Sequence, residues 1–196
     1  MIKEIYLDVD GVIVDFLGGL HETFGLPYSC DEGYQYERGK WDMLGDMPVS
    51  FTAINAVCTE RFWENLNWMV DGRDILRLIL QVFPCTPIKL LTTPMPNSGS
   101  WSGKYRWVAK NLPLYASRLV VTHVPKHEFV NRKNLLLIDD RGTTVDNVKR
   151  VGGSAVLVPR MWNYLHKVVE HGSVYEYMEQ QLHFIREGVT QCSGMR

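Results

Sequence analysis

Short unbroken apolar runs alternate along this chain with longer stretches of helical periodicity. Runs within residues 2–8, 88–91, 119–122, 135–138 and 155–158 include Ile5-Tyr6-Leu7 and Leu135-Leu136-Leu137-Ile138. Such runs predict strands buried on both faces, as in a parallel sheet. Between them, Phe16, Leu17, Leu20 and Phe24 recur at helical spacing over 15–24. Residues 50–65 read as helical with Ser50 as a cap. Residues 71–83 are amphipathic, with Ile75, Leu76, Ile79, Leu80 and Phe83 on one face. Further helices are expected over 103–112, 143–151 and 174–187, and a loose tail after them. Gly, Pro, Tyr and acidic residues break the pattern between Gly25 and Gly39, which predicts loop.

Strands alternating with helices predict an α/β fold, a Rossmann-like three-layer parallel sheet. The stretch between the first strand and Asp71 is too long for a simple crossover and carries its own helices. We read residues 16–71 as a small helical cap inserted after the first strand. Residues 1–15 and 72–196 then form the core domain. Ten of the 22 aromatics lie between Phe16 and Trp68, a modest enrichment where a substrate-covering surface would want one.

Composition narrows the partners. With 196 residues, one domain with a sizeable insertion is the default. A net charge of -1 provides no global field toward nucleic acid or a membrane surface. The start lacks the long apolar core of a signal peptide, and no apolar stretch approaches membrane-span length. A cytoplasmic protein is expected. Cys30, Cys58, Cys85 and Cys192 have no metal-ligand spacing and are read as reduced thiols without chemistry. The histidines likewise show no ligand spacing.

Two strands end abruptly in acids: Asp8-Val9-Asp10-Gly11 and Asp139-Asp140. Open α/β sheets hold ligands at the carboxyl ends of their strands. Two such ends side by side would gather up to four carboxylates, whose repulsion calls for a cation or a shared proton. A hard divalent ion with oxygen ligands, Mg²⁺, suits them. A carboxylate at Asp8 can attack phosphorus. Asp10, two residues on, projects to the same side and can act as general acid and base. Gly11 permits a sharp turn with exposed backbone. Calcium loops also use D-x-D, but the downstream Glu is missing here. Thr92 and Thr93 either present hydroxyl and N–H groups to a phosphoryl oxygen or simply close a strand. Lys104, read as opening a helix where the dipole disfavours a cation, either faces a phosphate and the acids or is a solvated surface residue. Of Asp139 and Asp140, one should ligate the metal and the other should hold neighbouring loops or Lys104.

Asp8-x-Asp10-Gly11-Val12, Thr92, Lys104 and Asp139-Asp140, in this order and in these elements, resemble the four motifs of the haloacid dehalogenase (HAD) superfamily of phosphotransferases. The resemblance covers about residues 2–160. Asp8–Phe16 with Gly18-Gly19, Leu91-Thr92-Thr93-Pro94, Lys104-Tyr105-x-Trp107-Val108-x-Lys110 and Leu136–Arg141 are similar to the 5'(3')-deoxyribonucleotidases. That resemblance implies Mg²⁺-dependent hydrolysis of nucleoside monophosphates, usually deoxyribonucleotides, beneath a small helical cap. It implies Asp8 as nucleophile and Asp10 as acid/base. Thr92, Thr93 and Lys104 would bind phosphate. Mg²⁺ would be held by Asp8, the carbonyl of Asp10 and an acid of the Asp139-Asp140 pair, Asp140 being slightly preferred. Phe16 falls where that family stacks a base, and Trp41 and Phe62-Trp63 fall in comparable cap regions. For each, core packing competes with stacking. Lys126 matches a family lysine near the substrate. The same likeness implies a homodimer. The chain departs from the family between Gly25 and Pro48, over 124–133 and after Trp162.

Two rivals remain: a HAD phosphatase acting on a sugar phosphate or another small ester, and a non-catalytic binding domain. A nucleic-acid 3'-end processor would want a basic face, which the near-neutral charge does not supply.

Overall fold

The structure is a computed structural model that describes residues 1–28 and 35–188. The expectations for Cys30, Cys192 and the loose tail lie outside the described residues. Strands β1 (Glu4–Leu7), β2 (Ile88–Thr92), β3 (Leu119–Val121), β4 (Leu135–Asp139) and β5 (Ser154–Leu157) form one sheet in the order β3-β2-β1-β4-β5. Every pairing is parallel. The expected α/β architecture is therefore present. Successive residues of β1 and β4 alternate between two apolar clusters, one on each face of the sheet. Ile5, Leu7, Leu136 and Ile138 join the larger cluster, and Tyr6 and Leu137 the smaller. This is the period of two that a pleated strand imposes.

Helices cover both faces: α1 (Phe16–Phe24), α2 (Phe51–Val57), α3 (Glu60–Glu64), α4 (Gly72–Val82), α5 (Ser98–Asn111), α6 (Lys126–Phe129), α7 (Gly142–Arg150), α8 (His166–Glu170) and α9 (Val174–Glu187). Buried residues of α4, α5 and α9 pack into the larger cluster, and Val145 and Val148 of α7 into the smaller. Among the described residues no helix is long and apolar enough to cross a membrane.

The chain runs β1, β2, β3 to one side, then returns to place β4 against the other side of β1. The reversal makes the β1–β4 boundary the topological switch point, where open α/β sheets bind ligands. Register aligns Leu7 with Ile138. Asp8 therefore emerges beside Asp139, and its N–H donates to the Ile138 carbonyl at 2.9 Å.

Two boundaries differ from expectation. Residues 50–65 form two helices rather than one. Ser50 does cap the first, accepting from the Ala53 N–H at 3.2 Å, but Thr59 caps a new start by accepting from Phe62 at 3.3 Å. Helix α5 begins at Ser98, earlier than Gly103, with Asn97 accepting from the Ser100 N–H at 2.9 Å. Ser and Gly are poor helix formers, so the sequence 98–103 masked this start. Lys104 consequently lies in the second turn of α5, not the first, and the dipole argument for it fails. Helix α6 is a further addition, within the stretch 124–133.

Segment 16–71 is pinned at both ends. The Asp15 N–H donates to Asn67 at 2.9 Å, and the Met69 N–H to Ile13 at 3.0 Å. Leu17, Leu20, Ile54 and Trp63 share the larger apolar cluster with the sheet. Helix α3 lies against α5 because Gly99 and Gly103, one turn apart, carry no side chain. A Cβ on Gly103 would sit 2.5 Å from both the Glu60 carbonyl oxygen and Trp63 Cβ. This close approach sets the Trp63 ring over Lys104, with Nζ 4.1 Å from the ring centroid. Gly103→Ala should destabilise the protein by about 1–3 kcal/mol, the usual penalty for overpacking. Urea unfolding would measure this, and a wild-type midpoint would show that α3 does not need the contact.

Candidate active site

The acids at the strand ends form one network with two lysines. Asp8 Oδ1 accepts from the Val9 N–H at 2.7 Å and pairs with Lys126 Nζ at 2.7 Å. Lys126 also reaches Asp139 Oδ2 at 2.7 Å, while Asp139 Oδ1 accepts from the Arg141 N–H at 2.8 Å. Asp140 Oδ2 accepts from the Trp162 indole N–H at 2.7 Å. Asp10 Oδ2 pairs with the Lys104 ammonium and accepts from the Thr92 hydroxyl at 3.3 Å. Lys104 in turn donates to Thr92 Oγ1 at 3.2 Å.

Charge does not balance here. Four carboxylates face two ammonium groups, and Asp8, Asp139, Asp140, Lys104 and Lys126 are all buried. Burial pushes the Asp8 carboxyl up to about 7. Lys126 opposes the shift, and Asp139 and Asp10 add to it. Burial also holds Asp140 well above the usual carboxylate range, reinforced by Asp139 and Asp8. Lys126 is raised: burial works against its charge, but Asp139 and Asp8 outweigh that.

Two buried side-chain oxygens among the described residues have no hydrogen-bond partner: Asp10 Oδ1 and Asp140 Oδ1. Leaving such a group unsatisfied costs about 1–3 kcal/mol. Asp8, Asp139 and Asp140 each offer an oxygen, all within 4.8 Å of one another. An all-oxygen, buried and under-neutralised donor set fits a hard divalent cation such as Mg²⁺. Both oxygens of Asp139 are already engaged, whereas Asp140 keeps Oδ1 open.

These acids floor a cleft of about 640 Å³. Phe16, Leu17, Trp41, Met43 and Leu44 supply an apolar wall, and Thr143, Thr144 and Asn147 a polar one. Phe16 stacks on Trp63 at 4.7 Å with the rings 9° from parallel. The Arg141 guanidinium lies 5.3 Å from the centroid of Trp41. Of the residues predicted to contact substrate, Gly11, Phe16, Trp41, Thr93 and Lys126 line the cleft. Trp63, Thr92 and Lys104 do not. Trp63 is only 2% exposed and backs Phe16 from below, because α3 presses it onto α5. Thr92 and Lys104 sit behind Asp10. Lys126, not Lys104, is the lysine that lines the cleft.

Three residues escaped the sequence reading. Arg160, 4% exposed, grips both oxygens of Asp71 at 2.7 and 2.9 Å. It also donates to the carbonyls of Gly11 at 2.6 Å and Val12 at 3.3 Å, so it holds the loop after β1. The Asn163 amide donates to the main-chain carbonyls of Asp140 and Val158, each at 2.8 Å. Trp162 holds Asp140 through its side chain. Arg160, Trp162 and Asn163 follow the carboxyl end of β5, so polar and aromatic residues beyond a buried strand were the available signal. Gly11 has φ +71°, a conformation that favours glycine. A Cβ there would overlap the Asp140 carboxylate and lie 3.2 Å from the Trp162 ring.

No family model and no curated protein matches the chain. Solved structures similar to it include HAD hydrolases. One is a HAD hydrolase of Bacillus subtilis bound to magnesium, at 14% identity and TM-score 0.47, covering 80% of this chain and 86% of that one. Another is a HAD family hydrolase from Deinococcus radiodurans with bound phosphate and sodium, at 16% identity and TM-score 0.47, covering 80% and 79%. A third is a HAD family enzyme from Bacteroides thetaiotaomicron in complex with magnesium and inorganic phosphate, at 19% identity and TM-score 0.44, covering 82% and 96%.

A cation that binds only the folded acids must stabilise the fold, by about 2.7 kcal/mol at 100 times its dissociation constant. Mg²⁺ should therefore raise the thermal midpoint and EDTA should reverse the rise. A midpoint indifferent to Mg²⁺ would contradict a cation site. Gly11→Ala should both lower the midpoint in EDTA and blunt its response to Mg²⁺, since the new methyl displaces Asp140. An unchanged response would show that the loop can yield without disturbing the acids.

Proposed function

We propose that this chain is a Mg²⁺-dependent phosphomonoesterase acting on nucleoside monophosphates, deoxyribonucleotides foremost, through an aspartyl-phosphate on Asp8. The observation that carries the reading is the buried acidic cluster with open oxygens at the foot of a cleft with an aromatic wall. Mg²⁺ would be held by Asp8, Asp140 and the main-chain carbonyl of Asp10, and when bound it supplies positive charge beside the phosphate oxygens.

The chain's own residues do the rest. Lys126 pairs with Asp8 and places a second positive charge at the cleft floor, where phosphate charge gathers. Lys126 also links Asp8 to Asp139 and so limits the nucleophile's freedom. A carboxylate oxygen of Asp8 bonds to phosphorus as the bond to the nucleoside oxygen breaks. Asp10 gives that oxygen a proton. It then takes one from the water that cleaves the acyl-phosphate bond, returning Asp8 and releasing phosphate. Asp10 Oδ2 is anchored by Lys104 and Thr92, which leaves Oδ1 for proton transfer. Phe16 and Trp41 offer flat faces for a base, which stacking buries without demanding particular hydrogen bonds.

The polar wall of Thr143, Thr144 and Asn147 favours a second reading, a sugar phosphate as substrate. Phosphate release from deoxy- and ribonucleoside monophosphates, hexose phosphates and p-nitrophenyl phosphate separates the two. Mg²⁺-dependent release strongest for deoxynucleotides is expected. Preference for a hexose phosphate would overturn the substrate but keep the chemistry. Asp8→Asn should lower the turnover number by about 10³-fold or more, as loss of a covalent nucleophile does. A wild-type rate in that variant would refute Asp8 as nucleophile.

A further inference from the structure

We propose that Trp162 is the positioning residue of the cation site: its indole N–H fixes the Asp140 carboxylate so that Oδ1 stays open and uncompensated. The inference rests on the metal-dependent reading above and names the side chain that shapes its metal ligand.

Three observations converge on it. First, the four acids are not neutralised alike. Asp8 and Asp139 share Lys126, and Asp10 has Lys104. Among the described residues Asp140 has no ammonium or guanidinium within ion-pair distance, and its side chain accepts from the neutral Trp162 indole at 2.7 Å. A neutral donor orients a carboxylate while leaving its negative charge for a cation. A lysine in the same place would compete with that cation.

Second, Asp140 is held from both ends by adjacent residues. Asn163 binds its main-chain carbonyl at 2.8 Å, and Trp162 binds its side chain. Main chain and carboxylate are thus referred to one rigid turn after β5, and the plane of the carboxylate is set. Oδ2 is consumed, and Oδ1 is the buried oxygen left without a partner.

Third, Trp162 has little room to move. It is 1% exposed, and its ring lies against Gly11, where even a Cβ would approach to 3.2 Å. Arg160, two residues earlier, clamps the same Gly11 carbonyl at 2.6 Å. The donor, the loop that carries Asp10, and Asp140 are therefore packed as one block. Groups that orient metal ligands from behind typically change metal affinity by about 10–100-fold when removed.

The test measures Mg²⁺ binding to the full chain by calorimetry, with no substrate present. Two replacements of Trp162 are compared. Trp162→Phe keeps an aromatic ring without the N–H. A benzothienyl-alanine at the same position keeps the full bicyclic shape with sulfur in place of N–H, and decides the matter if the Phe variant does not fold. Both should raise the Mg²⁺ dissociation constant by about tenfold or more. The Mg²⁺ concentration for half-maximal phosphate release should rise in parallel, by a larger factor than any fall in the turnover number at saturating Mg²⁺. In an Asp140→Asn background the same replacements should change Mg²⁺ affinity no further. An affinity within twofold of wild type in the isosteric variant would overturn the role of Trp162 and leave the phosphatase reading standing. So would an equal loss in the Asp140→Asn background. Failure of the wild-type chain to bind Mg²⁺ would overturn both.

Discussion

The rest of the structure depends on negative charge held in place without enough positive charge beside it. Asp8, Asp10, Asp139 and Asp140 crowd the β1–β4 boundary, and Lys104 and Lys126 answer only part of their charge. Two like charges 4 Å apart repel by about 4 kcal/mol at an effective dielectric constant of 20. Left to relax, such groups would separate or bind protons, and burial and repulsion together already raise Asp8 and Asp140. The sheet prevents separation. Its parallel register delivers Asp8 and Asp139 side by side, and a one-residue slip of either strand would swap its side chains between the two apolar clusters and carry its acid out of register with the other. The remaining deficit is what makes the site receptive to a divalent cation.

Much of the surrounding packing serves to keep these acids close. Gly11 lets the loop after β1 pass against Asp140, and Arg160 binds that loop to Asp71 at the start of α4. Gly99 and Gly103 let α3 settle on α5, which places Trp63 above Lys104 and behind Phe16. Lys104 is thereby sealed between an aromatic ring and the Asp10–Thr92 pair. It pairs with Asp10 and is not among the residues that line the cleft. Lys126, lifted into the cleft by α6, is the lysine positioned to meet a ligand.

The sheet and the acidic cluster were legible in the sequence because each is written locally. An unbroken run such as Leu135–Ile138 leaves few options other than a buried strand, and acids directly after it have few reasons to be there except a ligand. What was not legible depends on distant partners. Lys104 read as a first-turn residue because Ser98–Gly103 has poor helix propensity, and the glycines' real role, admitting α3, needed the α3–α5 contact to be visible. Trp63 and Trp41 look alike in sequence, yet one is core and the other cleft wall. Arg160, Trp162 and Asn163 belong to the site only because β5 lies beside β4, a pairing that no local pattern states.

The division of labour that emerges is a charged floor built by strand ends and an aromatic wall built by segment 16–71. In the function we propose, the floor would carry the chemistry and the wall the choice of substrate, so the two can fail separately under test. The central claim concerns the floor. Its most direct measurement is a crystal structure of the protein soaked in Mn²⁺, with anomalous scattering locating the ion. The account predicts a single strong peak within coordination distance of Asp8 and Asp140 Oδ1. An empty acidic cluster at saturating Mn²⁺, with Lys104 and Lys126 still paired as here, would contradict it.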